Sequence, residues 1–236
     1  GVVQQLLQQG AGVLHLFINA WGQDHPCNIN RSVAPLVFKH LAQQYEEGSL
    51  GGVNHKQVEA LLRRAAQYGQ PNACFSLLCT AAARQQFQLS SEAAAAILQM
   101  AAQQGPPALV LHLLEGHGLG HLWELLATGC HMSRDVVPAV VLHVAQKATA
   151  GAMQLDSRML ALLVYQAAKH HDQEACAAIL AVAEQQQVQL TAQDNYLALQ
   201  ACMHAGCPAE LVSLLLRAGA ALDRSHLSSL ASRAAS

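Results

Sequence analysis

The amino-acid sequence predicts an all-α fold, an α-solenoid of antiparallel helix-turn-helix repeats. Two observations support this prediction: residues that favour helices dominate the composition, and a pattern of helix caps and helix breaks recurs along the chain. Ala, Leu and Gln dominate the 236 residues, and aromatic residues make up only 4% of them. The three dominant types favour helices, whereas the β-branched and aromatic residues that favour strands are few.

Composition also narrows the classes of function. Apolar residues make up 52% of the chain and charged residues 12%, so the chain has enough aliphatic surface to fold. The formal net charge is −2, from 13 basic and 15 acidic residues, which argues against strong nucleic-acid affinity. Polar residues interrupt every apolar run, so we expect no membrane span. The chain starts at Gly1 without Met or a signal-like segment, and we therefore expect a processed or truncated protein.

The cysteines and histidines do not form a recognisable catalytic or metal-binding pattern. The seven cysteines contain no CxxC pair, which predicts free, largely buried thiols rather than a disulfide framework. Five residues are candidate zinc ligands, but glycines lie among them and their spacing is not zinc-like: His112, His117, His121, Cys130 and His131. No GxSxG, HExxH or P-loop motif occurs. We predict no enzyme, metal, cofactor or small-molecule substrate.

The first half of the repeated pattern is an apolar residue followed at once by a residue that caps helix N-termini. A capping side chain accepts a hydrogen bond from a free N–H in the first helical turn, while the apolar residue packs back on the helix. Each pair precedes a helical run. The pairs are Val53-Asn54, Leu89-Ser90, Met132-Ser133, Leu155-Asp156, Leu190-Thr191 and Leu222-Asp223.

The second half of the pattern is a helix break sixteen positions after four of these apolar residues. The breaks fall at Gly69, Gly105, His171 and Gly206. Each glycine is followed within two residues by a proline, the order expected when one helix ends and the next begins, and Asp172 takes this place after His171. Each unit is therefore predicted to be helix, tight turn and helix.

The pattern divides the chain at residue 53. Residues 1–52 are predicted to form N-terminal helices, either a cap or degenerate repeats, and residues 53–236 to form repeats that are irregular at 106–154. Within the irregular part, 106–131 is predicted as a second helix plus an extra turn, and 132–154 as nearly a single helix. Further helices are predicted at Val2–Gln9, Val13–Trp21, Ser32–Glu46 and His226–Ala235.

The segment from Asp156 to Thr191 resembles a pentatricopeptide repeat. It has the turn Lys169-His170-His171-Asp172, an Ala-x-x-Leu-like second helix and the exit Gln187-Val188-Gln189-Leu190. His171 and Leu190 stand where the family usually has Gly and Pro, which marks a divergent member. The resemblance covers roughly residues 53–236. Residues 206–223 instead resemble the second helix of an ankyrin repeat, which is the alternative.

The pentatricopeptide resemblance implies a helical-repeat protein that binds RNA, one base per repeat. The positions that would read bases early in the first helices are Glu59, Ala95, Ala161 and Tyr196, where the family uses Asn, Ser or Thr. We therefore expect no sequence-specific recognition. Basic residues on the first helices remain as candidates for RNA contact, although a solvated face would account for them equally: Lys56, Arg63, Arg64, Arg158 and Lys169.

On this resemblance we expect a non-catalytic component of an organelle ribonucleoprotein, such as a mitochondrial or plastid ribosome. It would dock on ribosomal RNA and on neighbouring proteins, and the mitochondrion is favoured over the plastid. The alternative is a protein-protein interaction scaffold without RNA contact, which the near-neutral charge favours.

Overall fold

A computed structural model describes residues 29–50, 53–84, 87–203 and 208–218, together with positions 224, 227, 228, 231 and 232. Within these residues the chain forms eleven continuous α-helices and no β-strand, which confirms the all-α prediction. The helices are α1 (Ala34–Glu46), α2 (His55–Gln67), α3 (Pro71–Arg84), α4 (Ser91–Gln104), α5 (Pro107–His117), α6 (Gly120–Ala127), α7 (Val136–Thr149), α8 (Ser157–Lys169), α9 (Gln173–Gln185), α10 (Ala192–Met203) and α11 (Ala209–Ala218).

The chain divides into two compact units, residues 1–125 (unit 1) and 126–236 (unit 2). In unit 1 the hairpins α2–α3 and α4–α5 stack so that α2 packs on α4, while α3 packs on both α1 and α5. Unit 2 repeats this plan: α8 packs on α10, and α9 packs on both α7 and α11. Each unit is thus a stack of antiparallel hairpins with a row of first helices and a row of second helices, as an α-solenoid requires.

Four of the predicted N-caps are confirmed. The Asn54 side chain accepts a hydrogen bond from the backbone N–H of Gln57 (3.0 Å), and the Gln57 side chain accepts one from the backbone N–H of Asn54 (2.9 Å). This pair is a capping box at the start of α2. Ser90, Asp156 and Thr191 cap α4, α8 and α10 by accepting from the backbone N–H three residues later, at 3.3, 2.7 and 3.1 Å.

The cap predicted at Met132-Ser133 is wrong. Helix α7 begins three residues later, at Val136, with Asp135 at the N-cap position and no capping bond from its side chain. The backbone carbonyl of Ser133 accepts from the N–H of Val136 (3.1 Å), so a turn precedes the helix. The near-single helix predicted for 132–154 is confirmed, and it lies in the row of second helices. The predicted extra turn after α5 is the separate helix α6.

The predicted helix breaks use two different backbone solutions. Gly69 and His171 adopt left-handed conformations, with φ of 65° and 58°. Gly105 instead has φ of −89°, and its role is close approach: a Cβ there would lie 2.7 Å from the backbone of Ala101. The break at Gly206, the pair Leu222-Asp223 and the helices predicted at 2–9 and 13–21 lie outside the described residues, as does most of 226–235.

The core of each unit is aliphatic. Apolar residues spaced three and four positions apart on α2 and on α8 are fully buried: Val58, Leu61, Leu62 and Ala65, then Leu160, Leu163, Val164 and Ala167. In the second helices, by contrast, Phe75 and Leu214 are only half-buried. No described helix is both long and apolar enough to span a membrane.

The prediction of free thiols holds for four cysteines and is wrong for one. Cys74, Cys79, Cys130 and Cys176 are free, whereas Cys202, in α10, is disulfide-bonded. Burial raises the pKa of the Cys74 and Cys176 thiols to about 12, with Asp172 adding to the effect at Cys176. These two thiols are therefore protonated at neutral pH and serve as small apolar core residues.

Candidate nucleic-acid interface

The five basic candidates lie on equivalent helices of the two units, three on α2 and two on α8. Lys56 and Arg158 are each the second residue of their helix and are exposed. A cation in a first turn faces the positive end of the helix dipole and is disfavoured there by about 0.3–1 kcal/mol. The helix dipole therefore does not account for the position of these two exposed cations, and the carboxylate of Asp156 stands two residues before Arg158.

Arg64 and Lys169 occupy the last turns of the same helices, where the dipole favours a cation. The Arg64 guanidinium donates to the Gln67 side chain at 3.1 Å. The Lys169 ammonium lies 2.6 Å from Nδ1 of His131 and donates a hydrogen bond to it in the tautomer that leaves Nδ1 without a proton. The helix dipole and these local contacts account for both residues without a nucleic acid.

Arg63 is held by two carboxylates rather than presented to a ligand. Its guanidinium lies 2.7 Å from Glu59, one turn earlier on α2, and 3.5 Å from Glu92 at the start of α4. It also donates to the Ser90 hydroxyl at 3.1 Å. Its positive charge is compensated within unit 1, which weakens it as a contact for a phosphate.

Glu59 is the centre of this cluster. Its carboxylate accepts from the backbone N–H of Ser90 (3.1 Å) and from the Ser90 hydroxyl (2.7 Å), in addition to Arg63. Burial alone would raise the pKa of Glu59, but the hydrogen bonds from Ser90 and the charge of Arg63 outweigh burial, so its pKa is lowered. Glu59 therefore stays ionised and ties α2 to the start of α4.

This tie was missed by sequence reasoning, which treated Glu59 only as a failed base-reading residue. The signal was present in part, because Glu59 and Arg63 are four positions apart on a predicted helix, the spacing of an intrahelical ion pair. The contact with Ser90 spans 31 positions and depends on how the hairpins stack. Local spacing does not reveal it.

The other predicted base-reading positions carry no recognition chemistry either. Ala95 and Ala161 have no polar group, and the Tyr196 hydroxyl accepts from Gln200 at 3.3 Å on the same helix. The last residues of the predicted repeats use their side-chain oxygens to cap the next helix: Asn54, Ser90, Asp156 and Thr191. The structure therefore gives each of these polar side chains a local role.

Three histidines lie near one another in unit 1 without forming a metal centre. His121 contacts the Ser91 hydroxyl through Nε2 (3.0 Å) and Glu124 through Nδ1 (3.5 Å). Burial lowers the pKa of His117, and the neighbouring His121 and His112 lower it further. Among the described residues, no three His, Cys, Asp or Glu side chains converge in a geometry that could hold a metal ion.

The chain matches no family model, no curated protein and no solved structure in the three comparisons made.

Proposed function

We propose that this chain is a non-catalytic helical-repeat protein of an organelle ribonucleoprotein, most consistent with a mitochondrial rather than a plastid ribosome. In this role it docks on RNA without reading sequence and contacts neighbouring proteins. The association with RNA is supported by the resemblance of residues 156–191 to a pentatricopeptide repeat, a family of RNA-binding helical repeats. Binding without sequence specificity is supported by the residues at the positions that read bases in that family, which here are Glu59, Ala95, Ala161 and Tyr196.

The observation that carries the proposal is the matched placement of Lys56 and Arg158. Both are exposed cations two residues after the N-cap of a first helix, where the helix dipole opposes them. A phosphate of RNA would offset this cost by neutralising the side chain and by facing the helix N-terminus. The equivalent residue of α4 is Glu92, so the feature is confined to one first helix in each unit.

The first test is the binding of a labelled, mixed-sequence single-stranded RNA to the intact chain, followed by fluorescence anisotropy over a salt series. Lys56→Gln and Arg158→Gln should each weaken binding about two- to threefold and reduce the slope of log affinity against log salt by about 0.7. Arg63→Gln should change affinity less than twofold, because its charge is already compensated. Absence of binding by the unaltered chain, or equal effects of all three substitutions, would contradict the proposal.

The second candidate function is a protein-protein scaffold without RNA contact. Its specific support is in unit 2, where large apolar side chains are exposed on adjacent helices: Leu197 of α10 is 39% exposed and Leu216 of α11 is 49% exposed. Exposed leucines of this kind are suited to burial against a partner protein. Complete failure of RNA binding would favour this candidate.

A further inference from the structure

A cavity of about 770 Å³ lies in unit 2 between the second helices α9 and α11. Its apolar wall includes Ala177 and Leu180 of α9, Val188 of the loop that follows α9, and Leu214 of α11. Gln189 also lines it and is exposed, so the cavity is open to solvent on the side of this loop. The volume falls within the range of pockets that bind a ligand, about 300–1,000 Å³.

Unit 1 has an equivalent cleft between its second helices α3 and α5, and that cleft is almost closed. Its volume is about 80 Å³, and its walls include Leu78 of α3, Phe87 of the loop that follows α3, and Leu113 of α5. Each of these three has a counterpart in the wall of the larger cavity when the two units are aligned by their helix breaks and by the caps Ser90 and Thr191. The same place in the hairpin plan is therefore closed in one unit and open in the other.

Side chains with rings in unit 1 are replaced by small side chains in unit 2. The matched pairs, unit 1 first, are Phe75 and Ala177, Phe87 and Val188, His112 and Ser213, and His117 and Ala218. The ring of Phe87 packs on the imidazole of His55, with centroids 4.4 Å apart, and Ser157 stands in the place of His55 in unit 2. Unit 1 thus narrows its cleft with its own rings, and unit 2 has none of them.

The charges at the cavity do not favour an ionic ligand. Its described lining carries one acid, Glu184 of α9, and one base, Arg217 of α11, and both are exposed. The Arg217 Nε donates to the carbonyl of Ser213 at 3.2 Å, within its own helix. The two formal charges cancel, so the walls select by apolar contact, and a phosphate has no advantage over a neutral group.

We propose that the cavity between α9 and α11 receives an aromatic side chain of a neighbouring protein in the assembly. The inference rests on the proposed function, because it locates one of the protein contacts which that function includes. The chemistry of the occupant follows from unit 1, where the ring of Phe87 lines the same cleft. Aromatic side chains bury about 150–250 Å² each and are frequent anchors of protein interfaces. Leu216, next to Arg217 on α11, is 49% exposed and adds apolar surface to this helix.

The first experiment titrates N-acetyl-phenylalaninamide onto the intact chain, with the methyl groups of Leu and Val labelled for NMR. The methyl signals of Leu180, Val188 and Leu214 should shift in a saturable way, with a Kd on the order of 1 mM for a probe of about fifteen heavy atoms. Leu78 and Leu113 line the closed cleft of unit 1 and are the internal control, so their signals should not move. N-acetyl-alaninamide, which lacks the ring, should bind at least about tenfold more weakly.

Two substitutions fill the cavity with a ring of the chain's own. Val188→Phe restores the residue of unit 1 and should weaken binding of the probe at least about tenfold. Ala177→Phe fills the cavity from α9, so the test remains available if Val188→Phe does not fold. Gln185→Phe is the matched control, because Gln185 is exposed and lies outside the cavity, and it should change the affinity less than about twofold. Equal shifts in the two clefts, or full binding by a folded filled variant, would overturn the site.

The second experiment identifies the occupant in the native assembly with a photoactivatable amino acid at Gln189, and at its counterpart Gln88 in unit 1 as control. We expect an adduct from Gln189 on a peptide of another protein that contains Phe, Tyr or Trp, and its loss in Val188→Phe. No such adduct is expected from Gln88. Adducts on residues 219–236 of the same chain, on a second copy or on RNA would overturn the proposal. RNA docking is measured separately by anisotropy, so either conclusion can fail while the other stands.

Discussion

At the scale of single residues, Glu59 shows how one carboxylate joins two hairpins. It lies within hydrogen-bond distance of Arg63 on its own helix and of Ser90, the cap of the next first helix. Its side chain is 15% exposed, so water screens these contacts only in part. Because the folded state lowers its pKa below the ordinary 4.5, Glu59 stabilises the fold at every pH above that value.

The substitution Glu59→Gln should therefore lower the free energy of unfolding at pH 7 by about 1–3 kcal/mol, the usual value of hydrogen bonds to a charged group. Denaturant titration followed by circular dichroism measures this difference. It should shrink as the pH is lowered from about 5 towards 3, because the unaltered carboxyl is then protonated on passing through its folded-state pKa.

The matched control is Glu92→Gln. Glu92 is 85% exposed and lies 3.5 Å from the same guanidinium, so it forms a surface ion pair of small energy. We expect less than half of the effect of Glu59→Gln. Equal losses for the two substitutions, or a loss at Glu59 that does not depend on pH, would show that the tie between α2 and α4 is not ionic.

At the scale of helices, two glycines of unit 1 lie in different surroundings: Gly105 ends α4, and Gly116 is a helical residue of α5. A Cβ on Gly105 would lie 2.7 Å from both Cα and O of Ala101, which are backbone atoms and cannot move aside. Gly116, inside α5, would meet no atom within 4 Å. The same substitution by alanine should therefore act in opposite directions at the two sites.

Gly105→Ala is expected to destabilise the chain by about 2 kcal/mol or more through this clash. Gly116→Ala is expected to stabilise it by about 0.5–1 kcal/mol, since alanine loses less backbone entropy in a helix. Thermal and denaturant unfolding measure both. If Gly105→Ala were neutral, the end of α4 would not make the close approach that the structure describes.

Sequence reasoning succeeded for helices whose ends are set by local chemistry. Asn54, Ser90 and Asp156 accept bonds from N–H groups only three residues away, so the pattern of cap and helix is visible in the sequence itself. It failed at Met132-Ser133, where the same pair of residue types precedes a turn. There a turn comes first and the helix begins at Val136, with Asp135 at its N-cap and no side-chain capping bond, and the residue types alone do not distinguish the two cases.

At the scale of the whole molecule, the repeated helical hairpin could be predicted, whereas the division into two units and the row in which α7 lies could not. The distance from each cap to the following helix break predicts a pair of helices, and the short connection within the pair makes the two helices antiparallel. That α7 lies with the second helices, and that unit 2 repeats the plan of unit 1, depends on packing between helices far apart in sequence. Apolar periodicity marks a buried face without saying which helix covers it.

The candidate site was predicted only in part for the same reason. Lys56 and Arg158 are visible as cations beside predicted caps. The contacts of Arg63 with Ser90 and Glu92, at the start of the next first helix, do not follow from spacing along the chain.

The most direct test of RNA docking is ultraviolet crosslinking of the native assembly, followed by mass-spectrometric mapping of RNA adducts on this chain. We predict adducts on peptides that cover residues 54–66 and 156–170, the first helices that carry Lys56 and Arg158. Abundant crosslinks to neighbouring proteins with no RNA adduct on either peptide would contradict the account and identify the chain as a protein scaffold.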